Sequence, residues 1–156
     1  MAQNMKTELT GLEAELPLHR FVTYRVARVQ AKLNAQATRL LREASGITLT
    51  QWRVIALIGA AGETQSSTLS KEAALDKGLL SRALKTLIEE RVVQSTTDAS
   101  DKRVQILRLT EKGRAIFEKT LPVTRKRQAN LREGLTDEEL RVFHKVLDHF
   151  EIAAEE

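Results

Sequence analysis

The feature that most narrows what this chain can fold into is a change of hydrophobic period at Arg91. Before it, apolar residues recur every three or four positions, the spacing of amphipathic helices. After it, Val92–Thr96 and Val104–Leu109 are short β-prone runs of alternating character, separated by the polar, turn-like Thr97–Lys102. At Thr110 the helical period returns. The pattern predicts a mainly α chain with a small β-hairpin.

The helical stretches can be placed more closely. Pro17, whose missing N–H costs nothing at a helix start, precedes apolar positions Phe21, Val22, Val26, Val29, Leu33, Ala37, Leu40 and Leu41. They predict one long helix to about Glu43, ended by Gly46. Thr48 with Gln51 forms a capping box for a second helix. Its Trp52, Val54, Ile55, Leu57 and Ile58 make it apolar nearly all round and hence central, with Gly59 and Gly62 closing it. Gln65–Thr68 supplies capping groups for a short helix, Leu69–Ala74. Asp76 is a good N-cap for a helix to about Glu90, with Leu80, Leu84, Leu87 and Ile88 facing inward. Beyond the hairpin, Thr110 caps a helix carrying Ala115, Ile116 and Phe117, which Pro122 is expected to bend or break. Gly134 is read as a stop, and Thr136 with Glu139 as a capping box, with Leu135 and Leu140 as its staple. The last helix presents Leu140, Phe143, Leu147 and Phe150.

Composition excludes several classes. With no cysteine, disulfide scaffolds, thiolate metal sites and thiol chemistry are ruled out. His144 and His149 lack metal-ligand spacing, so no metal and no cofactor is expected. No nucleophile–base pair or phosphate loop is visible, which argues against an enzyme. The apolar runs are too short for a membrane span, and Met1–Leu12 has no apolar h-region, so a cytoplasmic location without a signal peptide is expected. A net charge of +4 suits nucleic-acid binding without establishing it.

A short helix, a four-residue turn (Ala73–Asp76) and a longer helix make a helix-turn-helix, and a hairpin directly after it makes a winged one. In that reading the helix Asp76–Glu90 enters the major groove of double-stranded DNA. Lys77, Gly78, Leu79, Ser81, Arg82, Lys85 and Thr86 lie off its apolar stripe, with Arg82 the best candidate for a bidentate contact. Taken alone, the same face also fits an ordinary solvated one. The wing, Thr97–Arg103, adds Lys102 and Arg103 for the sugar-phosphate backbone, with Asp101 placed to hold Arg103. A surface turn with offsetting charges is the alternative there.

Trp52-Arg53-Val54-Ile55, the helix pair Leu69–Leu87, Ser100-Asp101-Lys102-Arg103 and the following Leu107-Arg108-Leu109-Thr110-Glu111-Lys112-Gly113 resemble the MarR family of bacterial transcriptional regulators. The resemblance runs from about Leu18 to Phe150. It implies a homodimer with terminal helices as its base, two winged domains on a pseudo-palindromic operator, and repression relieved by a small ligand, often phenolic or a carboxylate. Two positions depart from the family pattern. Arg91 stands where a glycine is usual, so a non-glycine must avoid or tolerate positive φ. Ser100 stands near where the wing tip often has a further arginine.

The divisions expected are a flexible N-terminus (1–17), an N-terminal dimerisation helix (18–45), a winged helix-turn-helix domain (46–118) and C-terminal dimerisation helices (119–156). The terminal stripes carry more apolar surface than a small winged domain could cover, which itself asks for a partner helix. For the effector, His19, Arg20, Tyr24, Trp52 and Arg53 are candidates, an aromatic wall with cations suiting an aromatic acid. Core packing for Trp52 and surface ion pairing for the arginines are the competing roles. Arg125-Lys126-Arg127 reads as a solvated helix face. The rival function is a winged-helix dimer that binds another protein rather than an operator.

Overall fold

The computed structural model describes residues 16–155. The expected flexibility of 1–17 thus falls almost entirely outside the described residues. A short 3-10 turn, Leu18–Arg20, precedes α1 (Val22–Ser45), with Phe21 in extended conformation between them. The long N-terminal helix therefore starts five residues later than Pro17 suggests. Its end is as expected: Gly46 adopts φ 68° and donates its N–H back to the Leu41 and Arg42 carbonyls.

Helix α2 (Leu49–Ala61) opens with the Thr48/Gln51 capping box, both reciprocal bonds being present. Trp52, Val54, Ile55 and Ile58 are buried. Gly59 does not close the helix; Gly62 does. At Gly59 the Phe117 ring lies so close that a Cβ would sit 2.6 Å from it. That glycine serves close packing, which local sequence does not signal.

Strand β1 (Glu63–Gln65) follows, then α3 (Ser66–Glu72), α4 (Lys77–Glu89), β2 (Val93–Thr97) and β3 (Gln105–Leu109). The sheet has three antiparallel strands in the order β1-β3-β2. Both hairpin strands match expectation, but β1 occupies what the sequence presents as a loop and capping segment. Helix α3 begins earlier than Leu69, with no side-chain cap. A strand of three residues has no period of its own; it exists because β3 pairs with it. Glu63 stands opposite Arg108 in that register, and the two side chains form an ion pair.

Helix α5 (Glu111–Arg132) passes through Pro122 without breaking. Side-chain ties to α1 flank the proline. Thr120, fully buried, donates its hydroxyl to the Ile116 carbonyl, so Ser45 must donate to Thr120 Oγ1, at 2.5 Å. Further on, the Arg127 guanidinium donates to the Leu33 carbonyl and to Gln36 Oε1, each at 3.0 Å. These bonds hold α5 along α1 on both sides of the missing backbone hydrogen bond. After Gly134 (φ 82°), the predicted Thr136/Glu139 capping box starts α6 (Asp137–Ala153).

The core lies in the middle of the chain. Leu41, Ile55, Ile58, Leu69, Leu87, Leu107, Val92 and Val93 are all essentially inaccessible, and Phe117 stacks on Trp52 at its edge. No residue of α6 is buried.

Candidate nucleic-acid interface and basal cavity

The turn between α3 and α4 is made without glycine: Ala74 takes φ 48°, a left-handed conformation that costs an L-residue about 1 kcal/mol. Asp76 then caps α4, its Oδ1 accepting the Leu79 N–H at 2.8 Å. Leu80, Ala83 and Leu87 are buried, which fixes the helix's rotation. Lys77, Gly78, Leu79, Ser81, Arg82 and Lys85 are consequently exposed, as the stripe predicts. Ile88 departs from the prediction: it is 37% exposed rather than part of the inward stripe. Thr86 is half-buried and its hydroxyl donates to the Arg82 carbonyl at 3.0 Å, so its proton is already committed. Lys85 lies 3.9 Å from Glu89, an exposed pair that holds it only weakly. Arg82 has no carboxylate partner among the described residues.

Residues beyond α4 share this face. A groove of about 550 Å³ is lined by Lys77, Ser81 and Lys85 together with Ser70 of α3 and Gln105 of β3. Neither Ser70 nor Gln105 stands out in the sequence. The β3 alternation gives no signal for Gln105: it shares the face of the buried Leu107 and Leu109 but is exposed at the start of the strand.

The exit from α4 accommodates Arg91. It adopts φ 59°, so the position does take the left-handed conformation for which glycine is usual. Its N–H bonds to the Ile88 carbonyl and the Val92 N–H to the Leu87 carbonyl, a Schellman closure with Leu87 and Val92 both buried. The segment after β3 locks this exit. Thr110 Oγ1 donates to the Arg91 carbonyl at 2.6 Å and accepts the Gly113 N–H, while Lys112 Nζ caps the Glu90 carbonyl at 2.9 Å. Gly113 is required by the same packing, because a Cβ there would lie 2.0 Å from the Val92 carbonyl oxygen.

The wing tip is closed by its own carboxylates. Asp98 Oδ1 accepts the Ser100 hydroxyl and N–H and the Asp101 N–H. Those bonds, the Ser100 hydroxyl foremost, hold the Asp98 carboxyl below its ordinary pKa. Asp101 does organise Arg103, but through the backbone: its Oδ1 accepts the Arg103 N–H at 2.9 Å. The Arg103 and Lys102 side chains are exposed and form no ion pair among the described residues.

The effector candidates do not form one site. Trp52 is only 8% exposed and belongs to the core. Arg20 and Arg53 line a cavity of about 850 Å³ between α1, α5 and α6, whose apolar lining includes Val26, Leu33, Phe143 and Leu147. His19 lines a neighbouring cleft, and Tyr24, half exposed, lines neither. Arg127 also lines the large cavity, so it is not a plain solvated side chain. The described residues hold no group of three metal-ligating side chains, and none of their helices is long and apolar enough to cross a membrane.

The helix-turn-helix, preceded by β1 and followed by the hairpin that completes the same sheet, defines a winged helix-turn-helix protein. Residues 45–104 match the model of the MarR family. Over 128 residues, 82% of this chain and 76% of the relative, the sequence is 26% identical to the HTH-type transcriptional repressor IacR of Pseudomonas putida. The structure of the M. tuberculosis transcriptional regulator MosR in complex with DNA is similar at 27% identity and a TM-score of 0.70, over 86% of this chain and 97% of that one. Bordetella bronchiseptica BpsR, whose DNA binding is regulated by 6-hydroxynicotinic acid, shares the fold at 19% identity. Its TM-score is 0.74, over 87% of this chain and 96% of that one. The matched segment, residues 45–104, is thus similar to the MarR family, whose members are transcriptional regulators.

Proposed function

We propose that this protein is a homodimeric repressor that binds a pseudo-palindromic operator and is released by a small aromatic acid. In this reading Lys77, Ser81, Arg82 and Lys85 meet the major groove, with Gly78 and Leu79 giving close approach. Lys102 and Arg103 lie along the backbone. The observation that carries it is the division of α4: Leu80, Ala83 and Leu87 dock into the core, leaving Arg82, without a carboxylate partner among the described residues, and its cationic neighbours outward, immediately before the wing. The DNA complex of the M. tuberculosis relative supports the same use of the fold.

The division into a winged unit (46–118) and a dimer base (18–45 and 119–156) is supported by the exposed apolar faces of α1 and α6. Helix-turn-helix dimers match half-sites one turn of DNA, about 34 Å, apart. The 850 Å³ cavity, with Arg20 and Arg53 beside apolar walls, suits an acid with an apolar body. The BpsR relative, regulated by an aromatic acid, supports that class.

The test is anisotropy titration on DNA flanking the protein's own gene at several salt concentrations. Tighter binding than to random DNA is expected, with Lys102→Ala reducing the salt slope by about one. Equal binding to all sequences would leave the protein-interaction role.

A further inference from the structure

Among the outward residues of α4, Leu79 is out of keeping with its neighbours. It stands 41% exposed in the first turn of the helix, amid Lys77, Gly78, Ser81 and Arg82. The next residue, Leu80, docks into the core, so core burial does not account for Leu79. Nor does the groove shared with α3 and β3: Lys77, Ser81 and Lys85 line it, whereas Leu79 and Arg82 do not. At about 100° per residue, these two fall toward the other flank of the outward face.

Local geometry brings them together. Side chains three residues apart on a helix are neighbours, with Cβ atoms about 5–6 Å apart. A Cβ built on Gly78 would lie 3.7 Å from Arg82 Nη1 and 3.2 Å from Asp76 Oδ1, so the guanidinium reaches back over the first turn. The Leu79 N–H donates to Asp76 Oδ1 at 2.8 Å, which fixes that turn. A leucine and a guanidinium therefore share the N-terminal end of the helix, the part of a recognition helix that reaches base edges.

Leucine has neither donor nor acceptor. Set against a polar base-edge group, it would strip water and return no hydrogen bond. The thymine C5-methyl is the apolar group that a base presents in the major groove, while arginine suits guanine O6 and N7. We propose that Leu79 is a specificity-determining residue that reads one thymine methyl group in each half-site. The spacing of the two side chains, set against about 3.4 Å between successive bases, places that thymine within about two base pairs of a guanine held by Arg82. This rests on α4 entering the major groove, and it gives Leu79 a reading role beyond close approach.

The test selects the preferred sequence of the full-length protein from a randomised double-stranded oligonucleotide library. Each thymine of that sequence is then replaced in turn by deoxyuridine, which removes only the methyl group. Anisotropy titration compares the parent with Leu79→Ser, and with Leu79→Gln, a stronger helix former, should serine unfold the turn. One thymine per half-site should stand out, its replacement weakening the parent about fourfold, the worth of one buried methyl group. The variant should bind the thymine and deoxyuridine forms equally while still preferring the selected sequence to random DNA. If no methyl group matters to the parent, the proposal is overturned and sequence-specific binding stands. A methyl effect equal in parent and variant assigns the reading to another residue and overturns it likewise. Selection of no sequence at all overturns the major-groove reading of α4 as well.

Discussion

The winged unit and the terminal helices are built from the same kind of amphipathic segment, yet only the first is finished within one chain. From Leu41 to Leu107 the inward residues are almost wholly removed from solvent. In α6 none is: Phe143 is 57% exposed and Val142 and Val146 are nearly as open, and along α1 Val22 and Val29 are half exposed. Burying such a side chain is worth about 1.5–3 kcal/mol, so an apolar stripe of this length left in water is a strong drive toward association. The lesson is that a regular hydrophobic period tells that a face is meant to be covered, but not by what.

The sharpest way to break the comparison is to damage each region and compare the consequences. Leu107→Ala, in the closed core, should lower unfolding free energy by about 2–5 kcal/mol in denaturant titration. Phe143→Glu, on the open face, should leave the far-ultraviolet spectrum intact but weaken self-association by about 2–3 kcal/mol in sedimentation equilibrium. An unfolded variant would mean that α6 completes the core of its own chain.

Within the winged unit the same contrast separates core from reading surface. Arg82→Ala should leave stability unchanged and cost about 1–3 kcal/mol of operator affinity, with little effect on random DNA. Equal loss on both would make Arg82 a phosphate contact. Arg91→Gly should raise thermal stability by about 1 kcal/mol, because the left-handed conformation no longer opposes a Cβ. A neutral result would mean that the Thr110 and Lys112 bonds leave no strain to release. The smallest effect concerns Asp98. Its folded pKa is depressed, so its contribution to wing order is present above the unfolded value, near pH 4, and is lost as pH falls through the folded one. Hydrogen exchange at Ser100 and Asp101 should accelerate on acidification in the parent and be already fast, and flat with pH, in Asp98→Ala once intrinsic rates are divided out.

Much of the candidate interface is legible in short stretches of sequence. The caps at Thr48, Asp76, Thr110 and Thr136 lie three residues from the groups they bond, so local sequence determines them. The outward set on α4 follows from the Leu80–Leu87 stripe by the same short-range geometry. Ser70 and Gln105 join that face only when α3 and β3 are brought beside α4.

What tertiary structure alone decided depends on partners far along the chain. Glu63–Gln65 is a strand because β3 offers it an edge, and residue 59 is a glycine because Phe117 presses against it. Pro122 sits inside a continuous helix because Ser45, Leu33 and Gln36 hold that helix from outside. Trp52 is spent in the core, while Arg127, unremarkable in a basic run, reaches a cavity. The sequence by itself determined where most helices start, which faces are apolar and where the wing stands, since these are set by bonds and periods spanning a few residues. Which apolar face is closed, and which charges stand beside an open one, are properties of packing between distant segments. No local period encodes them.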